Sequence, residues 1–457
     1  MTELGPFQIA IPDDVLDDLA RRLGAARLPP QQSVPDGEPG DPAGEDDEVI
    51  ERIAGLVAYW RDGYDWRAQE RRINAVPQCR AEVDGVGLHF LHVPGAGPDP
   101  MPLLLCNGWP SSMVEYLPVL AMLTDPAAHG EDPADSFTVV VPALPGFGFS
   151  DRCLDRRPTR RWIAGLFHRL MVEQLGYEQY VAHGDDIGGK VISWLGVRNP
   201  PGLVAVQTAS PMSPYLGPGD MLTEAEQSFV AASHRWDRDV GAYDHVQATR
   251  PRTLSLALND SPAGLAAWIL EKWLTWSDPV TRGRLRPDEL LTNVMIYWLT
   301  ETIGSSMRFY VPATEPPLGP GEAITAPASV VIPHEPHLPV PPESWLRRAY
   351  PGMERFVVLD RGGHFLASED PHRFVAEIRE TFRPYRRRLL HRHDWAARRS
   401  GAGSPGHRVA GPGAAGELRG QGGRQGAVHC RESVLTVGYL APMMCAGQAL
   451  AGPGPRR

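Results

Sequence analysis

Along the chain the apolar residues change period several times, and each change predicts an element. Val15, Leu16, Leu19 and Leu23 recur at helical spacing behind Pro12-Asp13-Asp14, whose acids crowd a first turn where the helix dipole favours them. A stretch rich in proline, glycine and acids, roughly residues 31–48, reads as loop, and residues 49–60 form a second amphipathic segment. Over residues 79–93 the period shortens to two. Val83, Val86, Leu88, Phe90 and His92 alternate about Asp84-Gly85, which predicts a hairpin. Short apolar runs at 103–106, 138–141, 180–182, 204–207, 329–332 and 356–359 then alternate with helical stretches. That rhythm predicts an α/β fold, a mainly parallel sheet covered by helices. From about 212 to 326 the pattern is helical, including 263–276, and reads as a lid inserted between two late strands. Beyond about Arg388 the chain turns rich in Gly, Ala, Arg and Pro, with one apolar patch near 434–444. That composition predicts a disordered or loosely held, appended tail.

Within this rhythm one turn carries chemistry. His183-Gly184-Asp185-Asp186-Ile187-Gly188-Gly189 follows the apolar run Tyr180-Val181-Ala182 and precedes the helical Val191-Ile192-Ser193-Trp194-Leu195. Strand, glycine turn and helix are the context of a nucleophile elbow, which exposes one strained residue at the top of an α/β-hydrolase sheet. The usual Gly-x-Ser-x-Gly is absent from this sequence, and an aspartate stands at the centre. Centring the turn on Asp186 places Gly184 and Gly188 where backbone crowds; centring it on Asp185 would place His183 and Ile187 there. Asp186 is therefore the candidate nucleophile. A carboxylate attacks carbon centres such as epoxides or alkyl halides and forms an ester with the enzyme. Asp185 complicates the picture, because a second carboxylate facing the same cavity would raise its neighbour's pKa.

Hydrolysis of such an ester needs a base for water. Asp360-Arg361-Gly362-Gly363-His364-Phe365 follows the last predicted strand, and its glycines free the loop for His364 to reach the elbow. Nucleophile first and histidine last is the α/β-hydrolase order. The acid that orients the histidine belongs after the penultimate strand, where Ser329-Val330-Val331-Ile332-Pro333-His334-Glu335 supplies Glu335. Asp360, at a strand end, reads rather as a turn or cap residue. The loop Cys106-Asn107-Gly108-Trp109-Pro110 follows a strand and faces the elbow, so the amides of Trp109 and Ile187 are the candidate oxyanion hole. Ring opening of an epoxide also releases an alkoxide, for which a tyrosine hydroxyl is a suitable proton donor.

Composition narrows the partners. The 457 residues carry a net charge of −10 and are 42% apolar, which supports a sizeable core and gives no basis for nucleic-acid or anionic-membrane binding. Five sparse cysteines (Cys79, Cys106, Cys153, Cys430, Cys445) lack metal-ligand spacing and fit a reducing compartment. No signal-like start occurs, and no apolar run approaches the ~20 residues that span a bilayer, so a cytoplasmic protein without a membrane anchor is expected. No metal or organic cofactor is implied. His391-Arg392-His393 reads as a solvated basic end, and Gly411-Pro412-Gly413-Ala414-Ala415-Gly416 fails as a dinucleotide fingerprint because no strand precedes it.

With these motifs in place, roughly residues 5–388 resemble the microsomal-type epoxide hydrolases in their soluble bacterial form. The resemblance rests on Tyr59-Trp60-Arg61, Asp65-Trp66-Arg67, Asn107-Gly108-Trp109-Pro110, the run from Pro142 to Ser150, the elbow, the run from Asn259 to Leu265, and Gly362-Gly363-His364-Phe365. It implies an α/β-hydrolase fold with an N-terminal wrapping segment (1–78), a core in two parts (79–211 and 327–388), the helical lid (212–326) and a tail (389–457) without family counterpart. It also implies that two lid tyrosines, Tyr243 and Tyr310, polarise the epoxide oxygen, and it places the family's acid on Glu335. Two residues depart from the family pattern: Asn107 stands for a histidine, and Asp185 for a glycine or serine.

The reading is an epoxide hydrolase that makes vicinal diols from hydrophobic epoxides, with Trp109 lining an apolar pocket and water as co-substrate. A haloalkane dehalogenase, with Trp109 or Asn107 holding halide, and an impaired hydrolase fold that only binds an apolar ligand are the alternatives. A homodimer is left open. Deleting everything after Arg388 is expected to leave folding and activity intact, as checked by thermal unfolding and turnover of the shortened chain.

Overall fold

The computed structural model describes residues 4–28, 47–155, 158–311 and 317–400, with 47 and 387–400 by backbone alone. Among them nine strands form one sheet: β1 (Gly5–Pro6), β2 (Gln78–Val83), β3 (Val86–Val93), β4 (Met101–Cys106), β5 (Phe137–Pro142), β6 (Tyr180–Gly184), β7 (Leu203–Thr208), β8 (Ala328–Ile332) and β9 (Met353–Val358). Their order is β1-β2-β3-β5-β4-β6-β7-β8-β9. The first three strands and β5 join antiparallel, and β5-β4-β6-β7-β8-β9 run parallel. This is the α/β-hydrolase fold, and all six apolar runs read as parallel strands lie in it.

The strands form where the sequence makes them inevitable. Every residue of β5 and β6 is buried, as continuous apolar runs require when helices cover both faces. The β2–β3 hairpin turns at Asp84 and Gly85, both with positive φ (52° and 72°), the pair of values an Asp-Gly turn tolerates. Register then sets up the site. Cys106 of β4 lies opposite Gly184 of β6, and Gly184 lies opposite Thr208 of β7, so three strands end side by side around the elbow.

Between β7 and β8 the described residues hold helices and no strand, including Glu224–Asp239, Ala242–Thr249, Pro251–Asp260, Pro262–Thr275 and Pro287–Thr300. Their starts are well signalled. Thr223 and Glu226 form a reciprocal capping box, and Ser261 accepts the Gly264 N–H (3.0 Å) ahead of Pro262. Trp273 stacks on Phe365 at 3.7 Å and its indole donates to the Pro110 carbonyl (3.4 Å), which fastens this insertion to the core. The last helix, Pro371–Ser400, runs past the boundary expected at Arg388. Residues 401–457 lie outside the described residues, as do the side chains of His391 and His393.

The N-terminal helices Asp13–Gly24, Asp47–Asp62 and Trp66–Asn74 pack on the insertion rather than on the sheet. Arg22 pairs with Asp260 (2.8 Å), the Tyr59 hydroxyl donates to Asp288 (2.8 Å), and Tyr64 meets Thr292 (2.9 Å). One side chain pins the extended start of the chain: Asn74 accepts the Ile9 N–H (2.8 Å) and donates to the Ile9 carbonyl (2.7 Å). Asn74→Ala would leave both backbone groups without their partner, at about 1–3 kcal/mol. We expect a lowered melting temperature with unchanged catalytic constants below it, measured by thermal unfolding and turnover of the same samples.

Candidate active site

Asp186 opens the helix Asp186–Arg198 with φ +46°, a left-handed value that costs a non-glycine residue roughly 1–3 kcal/mol. Close backbone packing holds it there. A Cβ on Gly184 would overlap the Gly188 backbone, one on Gly188 would overlap the Cys106 carbonyl, and one on Gly108 would overlap the Asp186 side chain. Hydrogen bonds complete the frame: Asp186 N–H to Ser210 Oγ (2.8 Å), Asp185 N–H to the Cys106 carbonyl (3.2 Å), and Ala209 N–H to the Gly184 carbonyl (3.0 Å). The twist lifts the Asp186 carboxylate clear of the sheet ends.

There it meets the loop after β4 and the loop after β9. The Trp109 N–H donates to Asp186 Oδ1 (2.9 Å), while Oδ2 stands 3.9 Å from His364 Nε2. Ile187, also named for the oxyanion hole, is buried as the second residue of the helix, where its N–H has no intrahelical acceptor. His364 Nδ1 lies 2.7 Å from Glu335 Oε2, so Nδ1 carries the proton and Nε2 faces Asp186. Asp360 is exposed at the end of β9. Burial opposes charge on His364, but the Glu335 carboxylate beside it, with Asp186 and Asp185 behind, pushes its pKa up to about 10. At neutral pH an imidazolium therefore faces Asp186.

Aromatic rings pack around this pair. Tyr243 stacks on Trp109 with ring centres 5.7 Å apart and planes at 5°, and Tyr310 meets Trp109 edge-on at 5.7 Å. The two tyrosine rings stand 5.9 Å apart. Trp276, which sequence reasoning missed, joins Tyr243 (5.0 Å) to His364 (4.9 Å). Its own carbonyl accepts the His364 N–H (3.1 Å). Asn107 turns its amide to the Gly108 carbonyl (3.1 Å), within its own loop.

The Asp185 carboxylate accepts the Tyr116 hydroxyl (2.9 Å), and Asp185 borders a small cavity of about 20 Å³ whose wall includes His183, Gln207, His364 and Glu377. Burial, with the neighbouring Asp186 charge adding to it, pushes the Asp185 pKa up to about 7 against the pull of His364 and Tyr116. Glu369 is a second buried acid without an obvious sequence signal. It accepts the N–H groups of Gly363 (3.0 Å), Phe365 (3.0 Å) and Asp278 (2.9 Å), so it moulds the loop that carries His364. Asp278 does the same from the insertion by accepting the Gly362 N–H (2.8 Å). Among the described residues no three His, Cys, Asp or Glu side chains are placed to hold a metal ion, and no helix is long and apolar enough to cross a membrane.

An elbow carboxylate, a histidine after the last strand and an acid after the one before it mark the α/β-hydrolase class. Comparison with known proteins narrows the class. Residues 4–116 match the family model described as epoxide hydrolase N terminus, and residues 101–300 match that of the alpha/beta hydrolase fold. A Stigmatella aurantiaca protein bearing an epoxide hydrolase name is 39% identical over 83% of this chain and 85% of its own. Epoxide hydrolase 1 of Sus scrofa is 30% identical over 82% of this chain and 87% of its own. The crystal structure of juvenile hormone epoxide hydrolase from Bombyx mori superposes with a TM-score of 0.68 at 26% identity, covering 85% of this chain and 95% of that one. The Aspergillus niger epoxide hydrolase superposes at 0.70 and 29%, covering 84% and 96%. The chain belongs to the epoxide hydrolase family, hydrolases that act on epoxides.

The environment of Asp185 has a measurable consequence. Its folded pKa lies above the unfolded value near 4, so the native state holds the extra proton and loses stability as pH rises from about 4 through 7. Asp185→Asn removes that loss. The variant should melt about 3–6 °C above the wild type at pH 8 and close to it at pH 4, by thermal unfolding at both values. A difference independent of pH would show that Asp185 is not a buried, proton-holding acid.

Proposed function

We propose that the chain converts hydrophobic epoxides to vicinal diols through an ester on Asp186. One observation carries the reading: the Asp186 carboxylate stands between the Trp109 amide and His364, under a wall made by Trp109, Tyr243, Tyr310 and Trp276. Oδ1, already bonded to the amide, becomes the ester carbonyl oxygen, and Oδ2 forms the bond to an epoxide carbon. As the ring C–O bond breaks, its electron pair takes a proton from the hydroxyl of Tyr243 or Tyr310. The His364 imidazolium makes good the tyrosine's proton through solvent and is left neutral.

Ester formation switches the histidine on. The Asp186 charge that helped hold the proton on His364 is gone in the ester, so the imidazole becomes a free base while Glu335 keeps it oriented. His364 then takes one proton from water as the water oxygen attacks the ester carbonyl. The oxyanion is met by the Trp109 and Ile187 amides, the alkyl oxygen leaves with the second proton of the water, and the Asp186 carboxylate and His364 imidazolium return. Epoxide plus water gives diol, with every proton accounted for. The aromatic wall favours apolar substituents over sugars or phosphates. The sparse cysteines support a reducing, cytoplasmic setting for this activity.

In a panel of hydrophobic epoxides, diol formation should fall by roughly 10³-fold or more in Asp186→Ala. His364→Gln should form ester but not release it, so the peptide bearing Asp186 gains the mass of the epoxide. Diol from Asp186→Ala at the wild-type rate would remove Asp186 as nucleophile, and halide release from haloalkanes in place of diol would favour the dehalogenase reading.

A further inference from the structure

Lysine side chains on helices normally extend their ammonium to water. Lys272, in the helix Pro262–Thr275, does not. Its side chain is 10% exposed, pairs with the neighbouring Glu271, and places Nζ 4.8 Å from the centre of the Tyr243 ring. The rings of Trp268 and Trp276 complete the enclosure, each 5.9 Å from Nζ. All three distances lie within the roughly 6 Å range over which a cation and an aromatic face attract. Tyr243 is thus held between an indole on which it stacks and a buried ammonium.

We infer that Lys272 is a positioning residue for ring opening, which acts through Tyr243 by stabilising the negative charge that develops on the phenol as its proton passes to the epoxide oxygen. The inference rests on the reading of Tyr243 as a proton donor. The ammonium attracts the neutral ring through its quadrupole only. As the epoxide C–O bond breaks and its electron pair takes the Tyr243 proton, charge spreads over the phenolate oxygen and ring, and the attraction becomes one between full charges. A contact that strengthens between ground and transition state lowers the barrier; one of constant strength would not. Low exposure preserves the effect, because little water lies between the charges. Glu271 opposes it, but the Glu271 side chain is 30% exposed and so better screened than Lys272.

Ester formation on Asp186 can be followed in a single turnover with enzyme in excess over an aryl epoxide such as styrene oxide, by quenching and weighing the Asp186 peptide. Lys272→Met, or Lys272→Gln if the apolar variant unfolds, should slow this step about tenfold and leave ester hydrolysis unchanged, and Lys272→Arg should recover most of the loss. Glu271→Gln keeps the lysine and removes its counter-charge, so ester formation should become faster. In a Tyr243→Phe background the Lys272 substitution should add nothing, because the group it acts through is gone. Equal slowing with and without the Tyr243 hydroxyl would overturn the inference while leaving Tyr243 a donor, as would a folded Lys272→Met with the wild-type rate. Tyr243→Phe as fast as the wild type would instead sink the reading of Tyr243 itself.

Discussion

The chemistry depends on a close approach of two stretches of backbone. The chain after β4 and the chain after β6 pass so near each other that Gly108 and Gly188 have no room for a side chain, and the elbow's own backbone leaves none at Gly184. Cys106 faces Gly184 in the sheet, and its carbonyl lies where a Gly188 Cβ would stand. That contact forces the left-handed turn at Asp186, and the turn aims a carboxylate at an amide donor on one side and a histidine on the other. Sheet order, helix capping and the folded insertion all serve to bring those two loops together.

A single histidine is surrounded by buried acids, and the fold gives each a separate occupation. Glu335 is committed to His364, and Glu369 to the backbone N–H groups of the loop that carries it. Asp185 is bonded to Tyr116, and Glu115 accepts the Ser111 hydroxyl, with burial pushing the Glu115 pKa well up. Asp186 faces the Trp109 amide and His364. Partitioning of this kind keeps the local field strong enough to hold His364 charged, while burial pushes Asp185 and Glu115 toward their neutral forms.

Elements whose signal is local were legible in the sequence. The parallel strands, the Asp-Gly hairpin and the glycine-spaced elbow each follow from residues within a few positions of one another. His364 and Glu335 were legible because strand order fixes where their loops must emerge. Glu369, Asp278 and Trp276 were not, since each acts through a contact whose meaning depends on a loop elsewhere: Asp278 reaches Gly362 across 84 positions. Lys272 reads as an ordinary helix residue until the ring beneath it is known. Asp185 was legible as an anomaly, yet its bond to Tyr116, 69 residues earlier, was not.

The packing of the first helices on the insertion bears on how the chain is made. Arg22 finds Asp260, Tyr59 finds Asp288 and Tyr64 finds Thr292, each more than 220 positions downstream. At a synthesis rate of about 5–20 residues per second, the N-terminal helices wait on the order of ten to forty seconds for their partners to leave the ribosome. Leu19, Leu23 and Trp60, all buried in the finished protein, lie on helices that remain without the insertion for that interval. These helices are thus sealed late, and the apolar faces they bury in the finished protein stay open while about half of the 457 residues are added.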